Sequence, residues 1–323
     1  MCIRDRKESG QWPLRGWIDY RREPYASKYP EVCARGARQQ EETGMPIDDD
    51  INYTVAALKI VEEHGAEFTA ADVGMFWLMN LPALQTCTAE RIAYRNMLAC
   101  ISPPASARWR NPCREWIGAQ IRADTYGYVC VGNPRQAAEF AWRDASVSHV
   151  KNGVYGSMFV AAMIAAAPYC RTPDEVVCAG LAEIPRRSRL HAEIELVRGW
   201  RASGIGYDEA VARVHERWNE ADWHHWTHTI SNAAVCVVAL LWGEGDFSAS
   251  VGMAVQACFD TDCNGATTGS IVGAMRGASA IPSGWSARIA NTMRTCIPYN
   301  NTWAVDAFAR RVLALRAKVL RKR

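Results

Sequence analysis

Hydrophobic residues recur along this chain at the spacing of helices that bury one face. In segment 52–64 (NYTVAALKIVEEH), Val55, Leu58 and Val61 fall near one face, and Gly65 ends the pattern. Strict alternation of apolar and polar residues, the mark of half-buried strands, is almost absent. The pattern therefore predicts an all-α protein folded as one large domain over residues 1–323. Helical spacing also occurs in segments 72–81, 134–144, 174–181, 208–221, 232–242, 247–258 and 302–320.

Two further segments predict helices in the interior. Segment 152–170 holds no charged residue and is rich in Gly, Ala and Ser, which favours a helix buried on all sides over a membrane span. Gly265, Gly269, Gly273 and Gly277 recur every four residues and would form a stripe along one helix. Such a stripe predicts close packing against another backbone.

The two ends of the chain differ from this middle part. Residues 1–45 give no clear periodic signal, so we expect them to be irregular. Residues 302–323 predict a basic C-terminal helix. The net charge is +3, and segment 310–323 alone carries seven basic residues and no acidic one. The rest of the chain is therefore mildly acidic, and this balance argues against a nucleic-acid partner.

Composition narrows the class further. Hydrophobic residues make up 49% of the 323 residues and charged residues 22%, enough for a large core and unlike a disordered chain. The 12 cysteines include no C-x-x-C pair, which gives no support to a zinc ribbon or a disulfide scaffold. The N-terminus shows no apolar leader. These features predict a reduced, cytoplasmic protein without a membrane partner.

Two acidic clusters come directly before predicted helices. The first acidic cluster is Asp48, Asp49 and Asp50, and the second acidic cluster is Asp260 and Asp262. Aspartate caps helix starts well and gains from the helix dipole, which accounts for one carboxylate at each place. Adjacent carboxylates repel one another unless a cation neutralises them, and oxygen ligands suit Mg²⁺, Mn²⁺ or Ca²⁺. The spacing leaves both interpretations open.

Four segments, in order along the chain, carry a resemblance to a known family. FDTDCNGATTGSIVGAMRGASAIP is similar to D-T-D-T/C-N-x-A-x-x-x-G-x-x-x-G-A, and DDDINYTVAALKIVEEHG to a T-D-D-T helix start. GAQIRADTYGY resembles a G-N-G-x-x-M-R loop, and DASVSHVKNGVYGSMFVAAMIAAA resembles T-H-x-x-x-x-A-x-x-G-x-x-x-A-x-A. Together they resemble the ADP-ribosylglycohydrolase family, which includes dinitrogenase-reductase-activating glycohydrolase and the J1 crystallins.

The resemblance implies a compact orthogonal helical bundle with a centre of two Mg²⁺ ions, or Mn²⁺ in their place. It also implies hydrolysis of the N- or O-glycosidic bond between ADP-ribose and a protein side chain or related acceptor. By position in the motifs, the metal ligands are Asp48, Asp49, Asp50, Asp260 and Asp262. Asp48 stands where the family has a Thr, and Cys263 replaces another Thr with a sulfur that Mg²⁺ disfavours.

The resemblance also suggests contacts for the substrate. Gly118, Gln120 and Arg122 belong to the glycine loop, whose backbone amides and guanidinium are candidates to bind the diphosphate. His149 follows as a candidate contact for ribose or phosphate. A hydrogen-bonded core histidine is an equally good interpretation of His149 on the sequence alone.

The family's opening G-D-x-x-G helix, with its functional Glu, has no match before Asp48. We therefore expect a chain that lacks its first helices, with no catalytic Glu to assign. Asp49 and Asp262 remain as metal-assisted catalytic candidates. The alternative functions are a catalytically silent binder of ADP-ribose and a structural homologue of the crystallin kind.

A zinc site is a weaker candidate. His224 and His228 stand four residues apart, a spacing at which two helical histidines can bind zinc. No Glu follows His224, however, and tryptophans flank the histidines. This composition favours a packed aromatic cluster over a metal site.

Overall fold

The computed structural model describes residues 3–320 and confirms the all-α prediction. Residues 1–2 and 321–323 lie outside the described part, so the last three residues of the predicted basic helix are not covered. The helices are α1 (Ile3–Glu8), α2 (Tyr25–Lys28), α3 (Pro30–Glu41), α4 (Asp49–His64), α5 (Ala70–Asn80), α6 (Thr88–Leu98), α7 (Asp124–Val129), α8 (Pro134–Ala145), α9 (Asn152–Ala166), α10 (Pro173–Ala182), α11 (Arg189–Ala202), α12 (Tyr207–Arg217), α13 (Trp223–Trp226), α14 (Thr229–Gly243), α15 (Phe247–Gln256), α16 (Thr261–Arg276), α17 (Ser283–Ile289) and α18 (Val305–Leu320).

Two helices that are apolar on every side form the centre of the bundle. Helices α9 and α14 are almost entirely buried. Helix α9 packs against α7, α8 and α10, while α14 packs against α11, α15 and α16. Small residues allow the close approach: a Cβ added at Gly127 of α7 would lie 2.6 Å from the Cβ of Ile164 in α9. The uncharged segment is thus a buried helix, and no described helix is long and apolar enough to cross a membrane.

The glycine stripe behaves differently from the prediction. Gly265 does sit close to a neighbour, since an added Cβ would lie 2.9 Å from Cγ2 of Val255 in α15. At Gly269 and Gly273 the nearest atoms are side chains at ordinary contact distances or beyond. Gly277 follows the end of α16 with a φ of +79°, a conformation that glycine adopts without strain. The expected backbone-to-backbone contact along the stripe is therefore wrong.

The N-terminal segment is more ordered than predicted, because it contains helices α1, α2 and α3. Pro30 occupies the first turn of α3, where its fixed φ and missing N–H suit a helix start. The segment is also pinned to the bundle: the N–H of Leu14 donates to Oε1 of Gln256 at 2.8 Å. A Cβ added at Gly252 would lie 1.8 Å from the Leu14 carbonyl oxygen. Tertiary packing, invisible to periodicity, orders this part of the chain.

The C-terminal helix begins later than predicted. Residues Thr302–Ala304 form strand β2, which pairs antiparallel with β1 (Thr292–Arg294) so that Met293 lies opposite Trp303. Helix α18 follows from Val305 and packs against α4 and α7. The buried residues Phe308, Val312, Leu315 and Val319 recur at helical spacing, which leaves the basic side chains on the other faces.

Candidate metal centre

The two acidic clusters occupy equivalent places at the starts of two long helices. Asp48 is the N-cap of α4, with Asp49 and Asp50 in its first turn. Asp260 is the N-cap of α16, with Asp262 in its first turn. Within the first cluster the carboxylate oxygens lie within 4.8 Å of one another. The same holds for the second cluster together with the thiol of Cys263.

The fold brings the two clusters together, although about two hundred residues separate them in sequence. The pKa of Asp49 is raised to about 6, mainly by burial and then by the charges of Asp48 and Asp262. Burial likewise raises the pKa of Asp260 to about 8, with Asp262 and then Asp49 adding to the effect. The pKa of Asp50 is also raised by burial and by carboxylates of both clusters. The negative charge of each cluster therefore raises pKa values in the other cluster.

Among the described residues, no ion pair offsets this negative charge. The ion pairs among the described residues include none with Asp48, Asp49, Asp50, Asp260 or Asp262. Buried like charges of this kind are costly unless a proton or a cation neutralises them. The negative charge of the two clusters is therefore not balanced by an ion pair among the described residues.

Helix capping explains only part of the arrangement. Oδ1 of Asp48 accepts a hydrogen bond from the backbone N–H of Asp50 at 2.9 Å, as a capping residue does. Asp260 makes no side-chain cap bond to α16. The side chain of Asp260 instead lies within hydrogen-bond reach of Asp262 and Cys263, and capping alone does not account for the second cluster.

An asparagine in the apolar helix α14 positions the second cluster. Oδ1 of Asn232 accepts hydrogen bonds from the backbone N–H of Asp260 at 3.0 Å and from Nδ2 of Asn264 at 2.8 Å. This contact holds a loop in which Cys258 and Phe259 both adopt positive φ angles, +70° and +58°. Such backbone strain is kept only where the surroundings hold it. The sequence analysis missed Asn232, and its one signal is a polar residue within an otherwise apolar run.

Asp124 is a further carboxylate beside the site that the sequence analysis missed. It lies half-buried at the start of α7 and adds to the pKa shift of Asp50. Burial raises its own pKa to about 6, and hydrogen bonds from Ser270 and Tyr128 partly counter that rise. The carboxylate of Asp124 thus accepts hydrogen bonds from two side-chain hydroxyls, which suits a residue beside the ligand positions.

The donor set fits a hard divalent cation. Five carboxylates supply oxygen atoms, the ligands that Mg²⁺ and Mn²⁺ prefer. Burial raises the pKa of the Cys263 thiol well above its usual value, and the nearby carboxylates raise it further. A protonated thiol is a poor ligand, so Cys263 does not shift the preference toward zinc.

Arg122 is buried, and its hydrogen-bond donors are already paired. Its side chain is 1% exposed. Its Nε donates to Oδ2 of Asp144 at 2.6 Å, and its Nη1 donates to Oε1 of Glu90 at 2.7 Å. The guanidinium also lies 4.9 Å from the ring centre of Trp77. The predicted phosphate contact of Arg122 is therefore corrected: its donors are used inside the core by two buried carboxylates.

Gly118 has a different role from the one predicted. It begins no phosphate cradle, because the carboxylate of Glu90 lies against its Cα. A Cβ at Gly118 would lie 2.0 Å from Oε1 of Glu90, so only glycine fits. The carbonyl oxygen of Gly118 also accepts from Nη1 of Arg122 at 3.3 Å. The glycine makes room for an ion pair and not for a ligand.

Gln120 and His149 are both fully buried. Neither Oε1 nor Nε2 of Gln120 has a hydrogen-bond partner among the described residues. Nδ1 of His149 lies 2.8 Å from Oγ of Ser148, while its Nε2 lies 4.0 Å from Oε1 of Glu90. Burial lowers the pKa of His149 well below its usual value, and Arg122 lowers it further. His149 is thus a neutral core histidine in this structure.

The weak zinc candidate is excluded by its hydrogen bonds. Nδ1 of His224 accepts from Nε1 of Trp116 at 2.8 Å. Nδ1 of His228 accepts from the backbone N–H of Ile230 at 3.1 Å. Because both Nδ1 atoms are acceptors, each neutral ring carries its proton on Nε2 and offers no second lone pair. The rings pack beside tryptophans, as the sequence composition predicted.

Comparisons with known proteins agree with this fold. A sequence profile described as ADP-ribosylglycohydrolase matches residues 6–319 of the chain. A solved structure described as an "ADP-ribosylglycohydrolase-related protein complex" superposes with a TM-score of 0.55 at 18% identity. The alignment covers 84% of this chain and 81% of that chain. At this identity the likeness concerns the fold alone. A comparison with curated proteins finds no match.

The all-helical bundle and its acidic helix starts define a hydrolase of the glycohydrolase class. The chain belongs to the ADP-ribosylglycohydrolase family, as the four sequence segments had indicated. The family implies hydrolysis of ADP-ribose conjugates. The profile match begins at residue 6, so it extends into the N-terminal segment where the sequence analysis had found no family motif.

Proposed function

We propose that this protein is a metal-dependent hydrolase that cleaves the N- or O-glycosidic bond of an ADP-ribose conjugate. One observation carries the proposal: two distant helix starts bring five carboxylates together, and no described basic side chain pairs with them. Membership of the family supports the substrate class. Two Mg²⁺ ions, or Mn²⁺, are the proposed cofactors because the donors are hard oxygen atoms.

The proposed metal ligands are Asp48, Asp49, Asp50, Asp260 and Asp262. Asp48 contributes through the oxygen that its cap bond to α4 leaves free. When bound, divalent cations would polarise a ribose hydroxyl or a water molecule and fix the substrate. The carboxylates themselves hold negative charge where the glycosidic carbon becomes positive.

Asp49 and Asp262 are the proposed proton acceptors for the attacking water. Asp262 is the exposed member of its cluster, and Asp49 is only partly buried. The bond to the acceptor breaks with oxocarbenium character, and the acceptor leaves with the bonding electron pair and takes a proton from solvent. Water adds to the ribose carbon and gives up a proton to the carboxylate. The nearby charge that raises the pKa of Asp49 also favours its taking a proton.

Of the four predicted substrate-binding residues, we retain Gln120 and His149 in the proposal. Gln120 and His149 keep polar atoms that no described residue satisfies, and such atoms are suited to a ribose or phosphate oxygen. Arg122 and Gly118 instead hold Glu90 in place. Their proposed role is structural: they fix the position of the Glu90 carboxylate.

The test measures release of ADP-ribose from an ADP-ribosylated protein, with Mg²⁺, with Mn²⁺ and with a chelator. We expect release that requires a divalent cation and is lost in Asp262→Asn. Asp208→Asn is the matched control, because Asp208 is also an aspartate in the first turn of a helix but belongs to neither cluster. Full activity of Asp262→Asn, or activity that chelator leaves unchanged, would contradict the proposal. Tight binding of ADP-ribose without any release would instead identify a silent binder.

A further inference from the structure

A separate cavity of about 200 Å³ lies outside the acidic clusters, and we call it the histidine pocket. The polar side chains that line it come from the loop before α7, from the first turn of α11 and from the region that leads into α14. They are Arg114, Glu115, Arg189, His224, His225 and His228. None of these residues belongs to the proposed metal site, so the pocket requires its own explanation.

The three histidines share one hydrogen-bonding pattern. In each ring Nδ1 accepts a hydrogen bond from a group that can only donate. The pairs are Trp116 Nε1 to His224 at 2.8 Å, Asn219 N to His225 at 3.2 Å, and Ile230 N to His228 at 3.1 Å. Because Nδ1 carries no proton, each neutral ring carries its proton on Nε2.

The Nε2–H groups are therefore hydrogen-bond donors, and none has a protein partner among the described residues. A metal ion would need a lone pair on Nε2, which this arrangement does not provide. The pocket instead presents three N–H groups of similar chemistry from a short stretch of chain. A ligand that only accepts hydrogen bonds satisfies all three.

The charges of the pocket favour the same kind of ligand. Arg114 and Arg189 supply two guanidinium groups against one carboxylate, that of Glu115. The Glu115 carboxylate is already occupied: Oε2 accepts from Nδ2 of Asn152 at 2.7 Å and from Nη2 of Arg189 at 3.3 Å. His228 is the N-cap of α14, so the positive end of a 15-residue helix also faces this region.

We propose that the histidine pocket binds a phosphoryl group. A tetrahedral oxyanion offers several acceptor oxygens and no donors, which matches the imidazole and guanidinium N–H groups of the residues that line the pocket. The side chain of Arg189 is 67% exposed and can turn toward such a ligand. The phosphoryl group belongs either to the substrate or to a separate phosphate compound. The proposal does not depend on the metal site.

The first experiment titrates the protein with inorganic phosphate in the absence of divalent cations and follows the histidine side chains by ¹⁵N NMR. We expect Nε2–H tautomers for His224, His225 and His228, and phosphate-dependent shifts of their signals but not of His64, which lies elsewhere. Arg189→Gln should weaken phosphate binding at least tenfold. Arg187→Gln, an exposed arginine two residues away that does not line the pocket, should bind as the wild type does.

Three results would overturn the proposal: Nδ1–H tautomers for these rings, no shift of their signals at millimolar phosphate, or equal phosphate affinity in Arg189→Gln and wild type. His224→Gln is a second variant, since His224 is exposed and its replacement leaves the core intact. It should also weaken phosphate binding, and unchanged affinity would count against the proposal.

A second set of titrations identifies the source of the phosphoryl group. If Arg189→Gln weakens binding of AMP and ADP-ribose as well as phosphate, the pocket takes part of the substrate. If Arg189→Gln weakens phosphate binding alone, the pocket takes a separate phosphate compound. Asp262→Asn should leave phosphate binding unchanged in either case. Failure of the hydrolysis assay would therefore leave this result intact, and loss of phosphate binding would leave the metal site untouched.

Discussion

Two groups of carboxylates in this molecule, one buried and one partly exposed, differ in their positive partner. Glu90 and Asp144 are buried in the core and share the guanidinium of Arg122 between them. The two acidic clusters at the starts of α4 and α16 have no such cation among the described residues. The protein itself balances the first group, whereas the second group requires a proton or a bound cation.

The comparison shows why burial and acidity alone do not identify a site. Burial raises the pKa of Glu90 to about 7 even with Arg122 beside it, and burial raises the pKa of Asp260 to about 8. The two carboxylates differ in the second-largest cause of the pKa shift. For Glu90 this cause is the positive charge of Arg122, which lowers the pKa. For Asp260 it is the negative charge of Asp262, which raises the pKa. The missing partner, and not the shift itself, points to a ligand.

The largest expected effect comes from removing the positive partner of the core group. Arg122→Ala leaves Glu90 and Asp144 buried without compensation, and breaking a buried ion pair in this way costs about 3–5 kcal/mol. Urea unfolding measures the loss. Arg135→Ala, at an exposed position, is the control and should change stability by less than about 0.5 kcal/mol. A small loss of stability in Arg122→Ala would contradict the claim that Glu90 and Asp144 depend on Arg122 for charge compensation.

The second prediction supplies the partner that the acidic clusters lack. Mg²⁺ or Mn²⁺ at a hundredfold excess over its Kd should stabilise the protein by about 2.7 kcal/mol, and chelator should reverse this. Thermal melts measure the shift. Asp262→Asn should lose the metal response, while Asp208→Asn should keep it. A melting temperature that millimolar Mg²⁺ or Mn²⁺ leaves unchanged would contradict the prediction that the acidic clusters bind a cation.

The third prediction concerns pH in the absence of divalent cations. The folded-state pKa of Asp260, about 8, lies above its usual value near 4, so the folded protein holds a proton that the unfolded chain has lost. Stability from this group therefore falls as pH rises through 8. The lowered pKa values of His149 and His228 act in the opposite direction, mainly below pH 6.5.

Between pH 7 and 8 the wild type should thus lose about 1 kcal/mol more of its unfolding free energy than Asp260→Asn does. Urea unfolding across this range checks the difference. Saturating Mg²⁺ should flatten the wild-type profile, because the cation replaces the proton. Identical profiles for wild type and variant would show that Asp260 titrates normally.

The smallest change in stability is expected at Asp48, the member of the acidic clusters whose side chain caps its helix. Asp48 caps α4, and Asn caps helices about as well as Asp does. Asp48→Asn should therefore change the stability of the metal-free protein by only a few tenths of a kcal/mol. Asp48→Ala, which removes the cap, should cost about 1 kcal/mol. Equal costs for the two variants in urea unfolding would show that charge, and not the cap bond, matters at this position.

Much of the fold followed from local patterns. Periodicity located α4, α8, α10 and α14 to within a few residues, because each has an apolar face of helical spacing and a recognisable end. Periodicity did not find α1–α3, since those short helices are held by contacts such as that between Leu14 and Gln256. It also extended α18 across β2, because pairing with a distant strand leaves no local signal.

The candidate site divides in the same way. The sequence located both acidic clusters, since clustered aspartates before helices are visible in any single segment. It did not reveal Asn232 or Asp124, which matter through contacts with residues far along the chain. It also predicted that Arg122 binds phosphate, because an arginine after a glycine looks the same whether its partner is a ligand or a buried Glu90.

The sequence by itself determined the helical class, the family resemblance and the residue types available for chemistry, because these depend on local spacing and composition. The tertiary structure alone decided which charges are compensated. Coulomb interactions depend on distance in space, and burial strengthens them by removing water. Folding therefore gives Arg122 two buried carboxylate partners and leaves the clustered aspartates without a described positive partner, although the sequence shows all of them only as charged residues.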